Sequence, residues 1–217
     1  MIDRVEWFAE LDSTMLEARR DPRPGRVIVA DRQTAGMGRH GRVWLSPGGE
    51  GLYVTMVLDV APAPVLSLAL GLATVAAIGA GDLRWPNDVL LSGRKVAGVL
   101  AQSEQNRLIA GVGINVLQRE FPEGLDTPAT SLAIEGIETT REALLERLIE
   151  AVDRMVALPA AELIARFSAA SSMVRGKRVR VEGVECVTCG LDAAGFLRVR
   201  DDNGTERTIL AGGVRPV

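Results

Sequence analysis

The sequence predicts an α/β body followed by a small β-barrel. Three observations carry that prediction. Strand-like apolar runs alternate with helix-like ones through most of the chain. From Lys177 onward the texture changes to RVRVEG, VECVTCG, GFLRVR and TERTIL, short alternating strands punctuated by Gly183, Gly190, Gly195 and Asn203-Gly204. Finally, 217 residues with 47% hydrophobic and 24% charged side chains suit one medium domain with a small satellite, and exclude wholesale disorder.

In chain order, Asp12, Ser13 and Thr14 are good caps for a short helix over residues 15–20. Glu17 stands three residues beyond Thr14, as in a capping box. Asp21-Pro22-Arg23-Pro24-Gly25 then breaks the helix. Residues 27–30 read as a short buried strand, 32–51 as a long polar glycine-rich stretch, and 52–59 (LYVTMVLD) as another strand. An apolar helix follows over 65–80. A strand at 83–85 runs into Pro86-Asn87-Asp88, which is turn chemistry. Residues 89–91, a Ser92-Gly93 turn and residues 95–102 make a hairpin, 107–116 returns as a strand, and 118–128 reads as a loop. Thr139 with Glu142 opens the longest helix, 141–157, which carries Leu144, Leu145, Leu148 and Val152 on one face. Pro159 interrupts it, and a second helix spans 160–170. The change of texture puts the domain boundaries at 1–174 and 175–217.

A net charge of −3 gives no overall basic footprint for nucleic acid. Two cysteines cannot make a disulfide scaffold, and the N-terminal MIDRVEWFAELD lacks the apolar run of a signal peptide, so the predicted compartment is the cytoplasm. The stretch between Asp59 and Asp82 is uncharged, but Pro62 and Pro64 open it and no basic residue anchors it. A buried helix is the expectation there. Of the 25 basic residues only Lys95 and Lys177 are lysine. A position that keeps lysine in so arginine-rich a chain suggests a need for its compact ammonium.

Three segments could carry chemistry. Gly36, Gly38 and Gly41 spell G-x-G-x-x-G, yet VWLSPGGEG follows instead of the helix a dinucleotide fold requires. What remains is a flexible glycine backbone bearing Arg39 and Arg42, able to fold over an anion or to be a solvated loop. In Arg84-Trp85-Pro86-Asn87-Asp88, an aromatic wall, an amide and a carboxylate meet at one corner, and the hairpin returns Lys95 close to it. Lys95, Ala97 and Val99 are expected to share a strand face, with the ammonium either snorkelling or paired with an anion. Gly111-Val112-Gly113-Ile114-Asn115 is a strand end with small residues and an amide, a weak signal by itself.

Taken together, five strings in this order resemble the catalytic module of the biotin–protein ligases. They are Asp12-Ser13-Thr14; the glycine–arginine stretch from Gln33 to Arg42 with Trp44; Arg84 to Asp88; Gly93-Arg94-Lys95-Val96-Ala97-Gly98; and Gly111 to Asn115. Ala129-Thr130-Ser131-Leu132 also resembles a family string. The resemblance implies a central mixed sheet flanked by helices, an SH3-like C-terminal barrel, and a ligase that activates biotin with ATP and passes it to a lysine of a carboxylase biotin carrier domain. It implies biotin contacts from Ser13, Thr14, Gln33, Gly36, Gly38, Trp44 and Gly98. Arg39 would meet the carboxylate and phosphate, and Lys95 the reacting centre, these two being the catalytic pair. Arg42, Asn87 and Asn115, with Arg39 and Trp44, would hold ATP and the adenylate; Mg²⁺ would ride on the phosphates without a protein cage. Some family members carry a DNA-binding domain ahead of this module. Here 12 residues precede Ser13, so the expectation is a ligase that binds neither DNA nor membrane, its oligomeric state open.

Two departures stand out. Met37 occupies the place of the family's first loop arginine, and Arg84 that of a lysine. The tail Ala211-Gly212-Gly213-Val214 lacks the acidic residue expected after the glycine. Cys186-x-x-Cys189 reads as two small barrel residues on opposite strand faces, and His40 as solvated. The rivals are a lipoate or octanoate ligase on the same fold, a biotin-binding protein without catalysis, and nucleic-acid binding through the arginines.

Overall fold

The computed structural model describes residues 4–181 and 183–217; Glu182, in the expected RVRVEG strand, lies outside them. The elements are β1 (Arg4–Leu11), α1 (Thr14–Arg20), β2 (Arg26–Gln33), β3 (Gly51–Leu58), α2 (Leu66–Ile78), β4 (Asp82–Arg84), β5 (Asp88–Leu91), β6 (Arg94–Glu104), β7 (Arg107–Asn115), α3 (Arg141–Val156), α4 (Ala160–Ala169), β8 (Arg175–Val181), β9 (Val184–Leu191), β10 (Leu197–Arg200), β11 (Glu206–Ile209) and β12 (Val214–Pro216). The first seven strands form one sheet in the order β1-β2-β3-β7-β6-β5-β4. Only β1 and β2 run parallel, so the sheet is mixed, as the family resemblance implies.

Alternation along the strands explains how both faces are covered. Val27 and Val29 of β2 join the core under α2, α3 and α4, while Ile28 between them joins a smaller cluster with Met15 and Ala18 of α1. A strand covered on both sides reads as a continuous apolar run, which is why β3 is buried along its whole length. The apolar segment expected to be a buried helix is α2, 13 residues or roughly 20 Å long. Among the described residues no helix is long and apolar enough to cross a membrane. Caps fall near their predicted places: the Ser13 side chain accepts from Met15 N–H, and Thr140, one residue beyond the Thr139 of the sequence pattern, accepts from Ala143 N–H.

The tail corrects the sequence reading. It is no barrel: its five strands form an open antiparallel sheet in the order β11-β10-β9-β8-β12, whose ends are not joined. The reason lies in where its apolar face goes. Val179, Val181, Cys186, Leu197, Val199 and Val214 belong to the same core as α2 and α4, so the sheet buries that face against the body instead of rolling up around itself. Cys186 is buried and Cys189 half-buried, both free. The docking contact is close. Trp85 Nε1 donates to Gly195 O at 3.0 Å, and a Cβ on Gly195 would lie 2.9 Å from Leu68 Cδ1 at a φ of +86°. Gly195→Ala is therefore expected to cost about 2 kcal/mol, lowering the midpoint of a thermal melt by roughly 4–8 °C.

Candidate active site

The sheet, the glycine–arginine segment, the 120–127 loop and the C-terminal strand enclose a cavity of about 840 Å³. Every site residue named from the sequence lines it except Gly36, which is buried under the loop; a Cβ there would sit 2.3 Å from Trp44 O. The floor is flat because of glycine. A Cβ on Gly113 would lie 2.5 Å from Trp44 Cε2, and one on Gly98 3.0 Å from Trp44 Cζ3. The strand end that looked weak in the sequence is thus the bed on which the Trp44 ring lies.

One end of the cavity is an amide–hydroxyl network. Thr14 donates to Gln33 Oε1 through both N–H (2.9 Å) and Oγ1 (3.1 Å), Gln33 Nε2 donates to Ser46 Oγ (2.8 Å), and Thr55 Oγ1 donates to Thr14 Oγ1 (2.8 Å). Ser46 and Thr55 were not among the predicted residues. Thr55 did leave a signal, the one aliphatic hydroxyl in the otherwise apolar or aromatic run of β3.

The charged centre is built by a β-bulge. Register shifts between Val89 and Leu90 opposite Lys95–Ala97, and the extra residue turns Lys95 to the side of Gly98. Ala97 and Val99, expected to share its face, stay in the core. Lys95 Nζ lies 2.6 Å from Asp88 Oδ1 and 5.2 Å from the Trp44 ring centroid. Arg84 grips the other oxygen of Asp88 through Nη2, which also donates to Thr127 Oγ1 at 2.6 Å. Burial alone would raise the Asp88 carboxyl, but Lys95 and Arg84 outweigh it and hold it below the usual carboxylate range. Asp88 was seen at this corner in the sequence without a site role; its service to Lys95 depends on a contact that crosses the hairpin.

The glycine–arginine segment folds back on itself as a flap. Trp44 N–H donates to Gly36 O (2.9 Å) and Gly38 N–H to Arg42 O (2.7 Å), with a 3-10 turn Arg39–Gly41 at the tip, where His40 takes a φ of 55° and is exposed. Met37 packs against the cluster formed by Met15, Ala18, Ile28, Val57 and Ile109. The lost cation is therefore replaced by an apolar anchor. Arg39 donates to Asn87 Oδ1 (3.1 Å) and to Gly212 O (3.3 Å), the latter from the C-terminal segment. Burial pulls its guanidinium below the ordinary pKa, with Asp88 opposing. A desolvated cation of this kind gains from an anion brought beside it. Arg42 faces Asp126 at 3.4 Å, a carboxylate that Arg215 also holds at 2.6 Å.

A glycine-rich flap, Arg39 and Lys95 thus meet over one cavity of a mixed sheet and offer it two cations, an arrangement suited to a small carboxylic acid. Residues 7–118 match the Biotin/lipoate A/B protein ligase family. The biotin–[acetyl-CoA-carboxylase] ligase of Mycobacterium tuberculosis is 36% identical over 83% of this chain and 71% of its own length. The bifunctional ligase/repressor BirA of Escherichia coli is 34% identical over 64% of this chain, but only 49% of its own length is matched. The biotin protein ligase of Aquifex aeolicus, solved with biotin and ATP, superposes with a TM-score of 0.85 at 31% identity, covering 97% of both chains. The chain belongs to that family, and within it to the biotin–protein ligases.

Proposed function

We propose that this cavity activates biotin with ATP to biotinyl-5'-AMP and then transfers biotin to a lysine of a carboxylase biotin carrier domain. The observation that carries the reading is the convergence of the amide–hydroxyl end, Lys95 and Arg39 on one cavity. Ser13, Thr14 and Gln33 hold the ring system of biotin, with Gly38, Gly98 and Trp44 walling it and Gly36 supporting the flap. Arg42, Asn87 and Asn115 hold the nucleotide. In the first step a carboxylate oxygen of biotin attacks the α-phosphorus, the bond to the β-phosphate breaks, and pyrophosphate leaves. Two anions must meet for that to happen. Lys95, aimed by Asp88, and Arg39 offset the repulsion as charge shifts to the leaving group. In the second step a neutral lysine amine attacks the anhydride carbonyl, the carbonyl carbon's bond to the phosphate oxygen breaks, AMP leaves with the electron pair, and the proton shed by the nitrogen passes to the departing AMP or to solvent. The flap excludes water from the labile anhydride meanwhile.

Among the described residues no three His, Cys, Asp or Glu side chains come together as a metal-ion cage. A magnesium ion would be held by the phosphates and would supply positive charge there. Residues 1–174 carry the chemistry in this reading, and 175–217 form a second unit that lends Gly212 to Arg215 to the cavity wall. Its place of work is the cytoplasm, where ATP and the carrier domain meet. The test is ATP–pyrophosphate exchange with biotin, and with lipoate in parallel. Exchange with biotin alone is expected; exchange with lipoate alone would replace biotin as the acid, and exchange with neither would overturn the reading.

A further inference from the structure

Lys95 sits where the regular sheet gives out. β7 pairs with β6 from Ala97 and Ile114 onward, two residues beyond Lys95. Before that point the segment 128–130 lies alongside β6 instead. Lys95 N–H donates to Pro128 O at 2.8 Å and Thr130 N–H donates to Lys95 O at 2.9 Å, a parallel bridge centred on Ala129. On the opposite side Leu90 pairs with Lys95, and the bulge interrupts that ladder next to it. A side-chain clamp spans the two segments. Glu135 Oε1 accepts from Thr130 Oγ1 at 2.6 Å and from Arg94 Nη2 at 2.7 Å, and its Oε2 accepts from Ser92 Oγ at 2.8 Å. Thr130 is buried in the segment that stands in for a strand, Arg94 directly precedes Lys95, and Ser92 is in the hairpin turn at a φ of +49°. The Glu135 side chain is 11% exposed, and its donors, Thr130 foremost, hold the carboxyl below the usual carboxylate range against the effect of burial. Hydrogen bonds to an ionised acceptor are stronger than those between neutral groups.

We infer that Glu135 is a positioning residue for Lys95: by tying Thr130, Arg94 and Ser92 to one carboxylate, it keeps the hairpin and the 128–130 segment in the register that turns the ammonium into the cavity. The inference rests on the reading of Lys95 as the cation of the adenylation step. Side chains alternate between faces, so a slip of one residue at the bulge would send Lys95 to the other side of the sheet. Glu135 opposes that slip from outside the cavity. Ser92, Arg94, Thr130 and Glu135 are all absent from its lining, and the contribution of the clamp therefore passes through Lys95.

The experiment is a double-mutant cycle on the single-turnover rate of biotinyl-AMP formation, with thermal melts to establish folding and calorimetric titration of biotin. Glu135→Ala is expected to lower the rate about tenfold, with the affinity for biotin unmoved. In a Lys95→Ala background the same substitution should change the rate by less than about twofold, because no ammonium is left to misplace. Glu135→Gln keeps an oxygen for Thr130 and Arg94, and Ser92 Oγ can accept from its amide, so this variant should recover most of the rate. Failure of glutamine to recover it would assign the effect to the charge of the carboxylate and overturn the positioning role. Thr130→Val, which removes one arm of the clamp at nearly constant shape, is the second variant should alanine not fold; its loss should be smaller and depend on Lys95 in the same way. An equal loss in both backgrounds would mean that Glu135 supports the fold or the 120–127 loop, and would overturn the inference, as would a folded variant at the wild-type rate. Each of these leaves the ligase reading intact. A wild type that forms no biotinyl-AMP overturns the ligase reading and this inference with it.

Discussion

Lys95→Ala is expected to cut the single-turnover rate of biotinyl-AMP formation by about a hundred- to a thousandfold, while biotin still binds. The cation sits 2.6 Å from Asp88 Oδ1 and against the Trp44 ring, facing the cavity where carboxylate and phosphate would meet. Alanine removes the charge that offsets their repulsion, which is felt most in the transition state. The amide–hydroxyl network at the other end, Thr14, Gln33, Ser46 and Thr55, does not depend on it. The rate therefore carries the loss and the affinity for biotin does not. Lys95→Arg should recover little, because a planar fork cannot occupy the space between Asp88 and the indole as a compact ammonium does. Rapid-quench measurement of adenylate, with calorimetric titration of biotin, separates the two quantities. A near wild-type rate for the alanine variant would remove Lys95 from the reaction.

Asp88→Asn is expected to lower both stability and activity. The carboxylate is largely enclosed between Arg84 and Lys95, and neutralising it leaves two cations facing one another with no counter-charge. Breaking a buried ion pair from one side costs about 3 kcal/mol, or roughly 6–12 °C in melting temperature for a chain of this length. The pH dependence gives a second reading. Because Lys95 and Arg84 hold the folded-state pKa of Asp88 below the unfolded value, the stabilisation is fully present above about pH 4 and is lost as pH falls through the folded value. The melting difference between wild type and variant should therefore be largest near neutrality and shrink in acid. A difference that stays constant from pH 7 to pH 3 would mean that the carboxylate is not the source of the stability.

Much of the site was legible along the chain. The five strings are local. Each combines turn or strand chemistry with a residue of distinctive charge or hydrogen-bonding capacity, and all but Gly36 of the residues named from them face one cavity. The long helices were legible for the same reason: Leu144, Leu145, Leu148 and Val152 repeat at helical spacing, and a threonine precedes them as a cap. β1 gave no such signal. It is an edge strand with most of its residues exposed, and its sequence RVEWFAEL carries too little apolar alternation to be distinguished from a leader into the first helix.

What the sequence by itself determined is the kind of chemistry and the order in which its parts arrive. A lysine kept in an arginine-rich chain, a glycine flap with Arg39, and amides at Asn87 and Asn115 depend on residue type and spacing, which are local properties. The tertiary structure alone decided how those parts face one another. One extra residue at the β5–β6 bulge turned Lys95 from the core toward Asp88. Glu135 acquired its hold on the Lys95 hairpin through Ser92 and Arg94, both distant from it in sequence. The tail, whose alternation fits a closed barrel as well as an open sheet, stayed open because its apolar face found α2 and α4 to bury against. Alternation states that a strand has an apolar side; what covers that side is set by the burial competition among all the surfaces of the folded chain.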